Sequence, residues 1–401
     1  MTISRAVKSF CYGVVALLAL AVHADHPGFS QTATPVFDAK GQLWVVLARD
    51  HHIWLEKRSR SGEILSSVKV NRTPEELYAD GENRPKIAIG KSGEFFVSWT
   101  QKAAEKYSGN IRFSRSLDGG VNFSAPRTLN DDGLVTSHRF DEMVVSPSGK
   151  IFVAWLDKRD KVAAEKSGGS YAGAALYYTV SLDGGATFLP NRKVADYSCE
   201  CCRIAIAATA NDTVALFWRH LFALERKTPY RDHALAILSD KGVERSAFRA
   251  TVDEWEINAC PHHGPDIAID QEQVSHLVWF TNSKSRPGGI YYGKMAAVKE
   301  VSAEKPVVES ARAVDLTPGA SHPQVLAVGK AVFLGWKRFN GKETELLWMV
   351  STDGGASWSA ERLAAVATAE SEHPQLVADG ETAYLSWLSR KEGYRLLELK
   401  P

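Results

Sequence analysis

The chain has 401 residues, with 48 Lys+Arg against 47 Asp+Glu, 12 histidines and five cysteines. A balance this close to neutral argues against a bulk electrostatic partner such as nucleic acid. The length suits two ordinary domains or one large all-β domain.

Taken in order, the chain opens like a secretory signal. Arg5 and Lys8 form a basic start, an apolar run follows from Tyr12 to Val22, and Val22-His23-Ala24 offers a cleavage site. The run is too short for a stable bilayer span. Residues 1–24 are therefore expected to be a signal peptide, and residues 25–401 a single exported domain, periplasmic or secreted. Nothing after the signal is apolar enough for a membrane span. Cys11 lies inside the apolar run, so four cysteines fall in the mature part. An even count in an oxidising compartment makes disulfides the ordinary expectation.

A strand repeat fills the rest. Each copy has a short apolar strand, often after a proline, then a turn, then a second strand ending in tryptophan. Pro85–Gly90 leads to Phe95–Trp99, Met143–Val145 to Ile151–Trp155, and Ile204–Ile206 to Val214–Trp218. Pro265–Ile269 leads to His276–Trp279, Pro323–Leu326 to Val332–Trp336, and Pro374–Val377 to Ala383–Trp387. A weaker first copy runs from Pro35 to Leu47, with leucine in place of tryptophan. Third strands such as Asn110–Phe113, Ala175–Tyr178 and Leu346–Met349 follow. Several short strands per unit at this spacing predict an all-β fold, a single β-propeller of four-stranded antiparallel blades. The copies predict seven blades, with six as the alternative. The segment Asp25–Thr34 is expected to add the outer strand of the last blade.

Three turns carry a second signal. They are Ser116-x-Asp118-x-Gly120-x-x-Phe123, Ser181-x-Asp183-x-Gly185-x-x-Phe188 and Ser351-x-Asp353-x-Gly355-x-x-Trp358. Ser239-Asp240-Lys241-Gly242 is at most a degenerate fourth. The aspartate can bond the amides of its own turn, and the glycine permits positive φ. These turns resemble the Asp boxes, or BNR repeats, of sialidases, and the chain is similar to the sialidase-like superfamily over nearly all of residues 25–401. The resemblance implies a propeller whose Asp boxes sit away from the working face.

It also implies what an exo-sialidase-type glycoside hydrolase would need. An arginine cluster would hold a sugar carboxylate, with a Tyr–Glu nucleophile and an Asp acid/base. Arg84 and Arg203 are candidates for the first role. Arg219, Arg286 and Arg338 follow them, although basic residues just after the tryptophans read more simply as solvated loop charges. Asp141, Glu142, Glu254 and Glu256 could supply carboxylates, with Glu256 the catalytic candidate. Tyr197, Tyr291 and Tyr292 could supply phenols. The residues form no clear constellation.

The entry loops of the blades suggest other chemistry. Cys199-Glu200-Cys201-Cys202 precedes the fourth inner strand, and Cys260-Pro261-His262-His263 precedes the fifth. Aligning the repeats sets Cys202 at the position of Pro85. His322 and His373 stand just before Pro323 and Pro374, and His138 precedes the third inner strand. His51, His52, His220 and His233 fall in loops of the same face. Thiolates and imidazoles converging from neighbouring blades suit copper or zinc. The expected metal ligands are Cys199, Cys201, Cys202, Cys260, His262, His263, His322 and His373, with copper first. The alternative is an interaction propeller stapled by interblade disulfides. The partners that fit are an exported protein, or a sialoside or other glycan.

Overall fold

The computed structural model describes residues 31–295, 308 and 311–401; the expected signal peptide lies outside them. The described residues are almost wholly in β-strands and the turns between them. The first sheet is β1 (Ala33–Phe37), β2 (Leu43–Arg49), β3 (His52–Arg58) and β4 (Ile64–Lys69). In the second, β5 (Leu77–Tyr78) and β6 (Lys86–Ile89) both pair with β7 (Phe95–Lys102), followed by β8 (Gly109–Ser116) and β9 (Arg127–Thr128). An eight-stranded sheet holds two sets. One is β10 (His138–Val145), β11 (Ile151–Asp157), β12 (Ala174–Ser181) and β13 (Arg192–Ser198). The other is β14 (Ala205–Ala208), β15 (Val214–Phe222), β16 (Tyr230–Leu238) and β17 (Val243–Arg249). A single backbone pair, Ser198 with His220, joins the sets. A short helix, α1 (Arg159–Lys166), links β11 and β12 and buries no residue.

Two further four-stranded sheets follow. They are β18 (Asp266–Ile269), β19 (Ser275–Thr281), β20 (Gly289–Met295) and β21 (Arg312–Asp315), then β22 (Ala320–Val328), β23 (Ala331–Phe339), β24 (Thr344–Ser351) and β25 (Arg362–Ala367). The last sheet is β26 (Gln375–Ala378), β27 (Ala383–Ser389) and β28 (Gly393–Leu399). All pairings within the sheets are antiparallel. First strands pack side by side around a closed course: β1 on β6, then β10, β14, β18, β22, β26 and back to β1. Sheets arranged radially about such a ring make a β-propeller. Ala33 and Thr34 belong to β1, the first strand of the first sheet, so they do not complete the last one.

The repeat tryptophans explain why the sheets hold together. Trp99, Trp155, Trp218, Trp279, Trp336 and Trp387 are all fully buried. Burying each contributes about 4–6 kcal/mol of gross hydrophobic stabilisation. Each indole N–H finds an acceptor, as a buried donor must. Trp99 donates to Glu75 at 2.8 Å, Trp279 to Asp253 at 2.9 Å and Trp336 to Asp315 at 2.8 Å. Trp155 uses Asp157, Trp218 uses Ser198, and Trp387 uses the carbonyl of Glu372.

The three Ser-Asp-Gly turns share one geometry. Ser116, Ser181 and Ser351 donate to the aspartate two residues on, at 2.8, 2.9 and 2.7 Å. Each serine Oγ also accepts the N–H of Gly120, Gly185 or Gly355. Asp118, Asp183 and Asp353 in turn accept the backbone N–H four residues on. These bonds hold the aspartates below the usual carboxylate range, Asp118 and Asp183 to about 2. The degenerate copy departs from this pattern: Ser239 bonds Glu244 instead of Asp240.

Candidate functional site

The register of the inner strands places the mouth of the ring. The residue before each tryptophan pairs with one first-strand residue: Lys86, Glu142, Ala205, Asp266, Gln324 and Gln375. Two positions earlier stand Arg84, Phe140, Arg203, Gly264, His322 and His373. These six are therefore equivalent around the axis. The position of Pro85 belongs in the fourth repeat to Ile204, two residues beyond Cys202. The fourth repeat has no proline to mark it, so alignment on the cysteines slips by two.

Glu82 reaches into the centre of this group from the loop before β6. Its Oε2 accepts the backbone N–H of Arg203 at 2.6 Å and that of Gly264 at 3.2 Å. Its Oε1 accepts Nη1 of Arg203 at 2.9 Å. The same oxygen faces His322 Nε2 at 3.8 Å and His373 Nδ1 at 3.6 Å. The rings of His322 and His373 stack at 3.4 Å, and His263 lies 4.9 Å from His322 and 4.2 Å from Phe280, centre to centre. Burial holds His322 and His373 well below the usual imidazole range, so both are neutral. A Cβ on Gly264 would lie 2.2 Å from Arg203 Cγ, and one on Gly81 would lie 2.4 Å from His373 Cε1. Glycine at both positions lets the loops close on the cluster. Sequence reading missed Glu82 altogether.

The cysteines form a second group. Cys199 Sγ lies 3.8 Å from Cys201 Sγ and 3.6 Å from Cys202 Sγ, and all three side chains are buried. Nη1 of Arg231 donates to Cys199 Sγ at 2.9 Å. Hydrogen bonds from Cys201 and Cys202, together with the field of Arg231 and Arg219, hold the Cys199 thiol well below its ordinary range. Cys201 is pushed up by its bonds to Cys199 and Cys202, and Cys202 by burial. The arrangement is one thiolate held by two thiols and a guanidinium. Cys260 is exposed and bonds to Cys201, which lowers its thiol to about 7. The neighbourhood of the two cysteine segments agrees with the repeat alignment. Expected interblade disulfides are not formed: Cys199, Cys201, Cys202 and Cys260 are all free thiols.

The eight expected ligands thus divide. Cys199, Cys201 and Cys202 make one donor group, while His322 and His373 join Glu82 in another. Cys260 attaches to the first through Cys201, and His263 packs on the second. His262 is in neither. It is half-buried with φ +50°.

Other histidines have local roles. His138 bonds the Gly109 carbonyl at 2.8 Å and Asp132 at 3.0 Å, apart from the axial group. His52 bonds the Asn71 carbonyl, and His51 is an exposed partner of Glu76. His233 is buried between Phe217 and Trp279, and burial takes His220 down to about 4.

The sialidase candidates are not arranged as that chemistry requires. Arg84 is buried and spent on the carbonyls of Ala33 and His373 and on Glu372 at 3.4 Å. Arg203 is committed to Glu82 and to the carbonyl of Pro323 at 2.8 Å. Arg219, expected as a solvated charge, is buried over Trp255 and donates to the carbonyls of Arg231, His263 and Phe280. Glu256 lies instead in a surface ion pair with Arg226 and Lys284. Glu142 pairs with Lys86, and Tyr291 donates to the Pro287 carbonyl. Three guanidiniums tied to backbone and carboxylate acceptors inside the protein do not form an open cradle for a sugar acid.

No family model matches the chain, and no curated protein matches it. The solved structures that share its fold include two polysaccharide lyases. One is a PL25 polysaccharide lyase, an ulvan lyase bound to -[GlcA(1-4)Rha3S]-, with TM-score 0.54 and 12% identity over 92% of this chain and 91% of that one. The other is the polysaccharide lyase Uly1, with TM-score 0.53 and 12% identity over 99% of this chain and 92% of that one. At this identity the likeness is one of fold. Among the described residues no helix is long and apolar enough to cross a membrane.

Proposed function

We propose that the chain is an exported, seven-bladed propeller of the sialidase-like, Asp-box kind whose channel mouth binds a soft transition metal through Cys199, Cys201 and Cys202, with Cys260 beside them. The observation that carries this is the sulfur geometry: three buried thiols with Sγ–Sγ distances of 3.6 and 3.8 Å. Four sulfurs around a tetrahedral ion at about 2.3 Å stand about 3.8 Å apart, and three around a trigonal ion about 4 Å. The donor set therefore suits copper(I) first and zinc(II) second. Arg231 would balance part of the thiolate charge. Seven first strands in a closed course support the blade count.

Metal analysis of protein from the exported fraction, with thiol counting on the same sample, tests the reading. About one copper or zinc per chain, released when four thiols become titratable, is the expected result. Metal-free protein without free thiols, and without uptake after mild reduction, would sink it.

The fold shared with two polysaccharide lyases supports a second reading, action on a glycan. Turnover of an anionic polysaccharide or a sialoside by metal-free protein would favour it over the first.

A further inference from the structure

The axial group is unlike the thiol group in chemistry. Glu82 is fixed from behind: Oε2 takes two backbone N–H groups and Oε1 takes Arg203. What remains of Oε1 faces two imidazole nitrogens at 3.6 and 3.8 Å. His322 is only 7% exposed, yet neither of its ring nitrogens has a hydrogen-bond partner, and Nδ1 of His373 has none either. A buried imidazole left this way is destabilising, because its nitrogens have given up water for nothing. His322 also sits at φ +53° in the bulge of β22, where a non-glycine residue is uncommon. The structure thus holds two neutral imidazoles, at a cost, against one carboxylate oxygen.

We propose that Glu82, His322 and His373 form a second cation site for a borderline divalent ion, copper(II) or zinc(II), distinct from the thiols and independent of the thiolate reading. One oxygen and two nitrogens, all within 4.8 Å of one another, supply three ligands. A tetrahedral ion with bonds of about 2.0–2.1 Å needs donors about 3.3 Å apart. The two oxygen–nitrogen separations, 3.8 and 3.6 Å, exceed that by a few tenths of an ångström, and rotation of the two imidazoles supplies the movement. Arg203 opposes a cation here. Its charge is offset by Glu82, and its Nη2 is held away by the Pro323 carbonyl. The opposition selects ions with strong bonds to imidazole, which puts copper(II) ahead of zinc(II) and excludes magnesium or calcium.

The test uses the full mature chain with Cys199, Cys201, Cys202 and Cys260 changed to serine. Titration with copper(II) should fill one site per chain, with an electron paramagnetic resonance spectrum showing coupling to two imidazole nitrogens. His322→Ala or His373→Ala in that background should weaken binding at least 100-fold and remove the coupling. No uptake, or uptake indifferent to both histidines, overturns the proposal. Where the serine variant does not fold, the native-cysteine chain is first loaded with one equivalent of copper(I), and the second equivalent, as zinc(II), is followed with and without His322→Gln. An unchanged second equivalent again overturns it. Loss of copper(I) uptake on the serine changes reports on the thiols alone, so the two sites fail separately.

Discussion

Glu82 and Arg203 are 121 residues apart in sequence, and the carboxylate of the first accepts both the backbone N–H and the guanidinium of the second, at 2.6 and 2.9 Å. The pair ties the second blade to the fourth across the axis. Arg203→Ala would leave a buried carboxylate facing two neutral imidazoles. Breaking such a pair costs about 3–5 kcal/mol. Glu82→Gln leaves buried Arg203 without its anion and turns an NH2 donor toward N–H groups that Glu82 accepts, so it should cost a similar amount, about 3–5 kcal/mol. Urea midpoints of both variants should fall well below that of the parent.

Cys260 is the accessible thiol, and its bond to Cys201 lowers it to about 7. Its alkylation rate in metal-free protein should rise with pH through a midpoint near 7. Cys201→Ala, which removes the donor, should move that midpoint toward the ordinary thiol value of 9. Mass-spectrometric alkylation at a series of pH values reads both. A midpoint unchanged in the variant would mean that Cys201 does not tune Cys260.

Asp141 is buried, accepting from Ser98 at 2.6 Å and Thr100 at 3.2 Å, and burial raises it to about 6 from 3.8. Its folded value exceeds its unfolded one. Its contribution is fully present below about pH 4 and is lost as pH rises through 6, because the unfolded chain gives up the proton first. The slope is at most about −1.4 kcal/mol per pH unit in that window. Burial of His322 and His373 acts with the opposite sign below their unfolded value of 6.5. The measurement is therefore a difference: Asp141→Asn should remove a falling component between pH 4 and 6.

Gly354 and Gly355 both have positive φ, at +63° and +80°. A Cβ on Gly354 meets nothing within 4 Å, whereas one on Gly355 would lie 2.0 Å from the Tyr292 hydroxyl. Gly354→Ala should cost about 1–2 kcal/mol of backbone strain. Gly355→Ala adds overpacking of about 1–3 kcal/mol. Thermal melts should separate the two neighbours clearly.

The fold was legible in sequence because its signals are local. Each inner strand is a short apolar run, and each second strand ends in a tryptophan that must be buried and bonded. The site was legible in part. His322 and His373 could be placed because a proline follows each, and the cysteines drew attention by composition. Glu82 could not be found, since a lone carboxylate in a loop gains meaning only from Arg203, Gly264, His322 and His373, supplied by four other repeats. Arg84 shows the converse. Its register was right, but its role depends on Glu372 in the loop before the last sheet, which no local pattern connects to it.

That last contact reaches beyond the site. Glu372 accepts the N–H of Ala33 at 2.8 Å and that of Leu388 at 2.7 Å, and Arg84 bonds both Glu372 and the Ala33 carbonyl. One carboxylate near the end of the chain thus clasps its beginning, across 339 residues. Until Glu372 has emerged, β1 has its hairpin partner but no neighbour on its far side, and Arg84 has no anion. The ring therefore closes only once the last repeat has been made. A chain that lacks the last repeat is an open arc, with the far side of β1 uncovered.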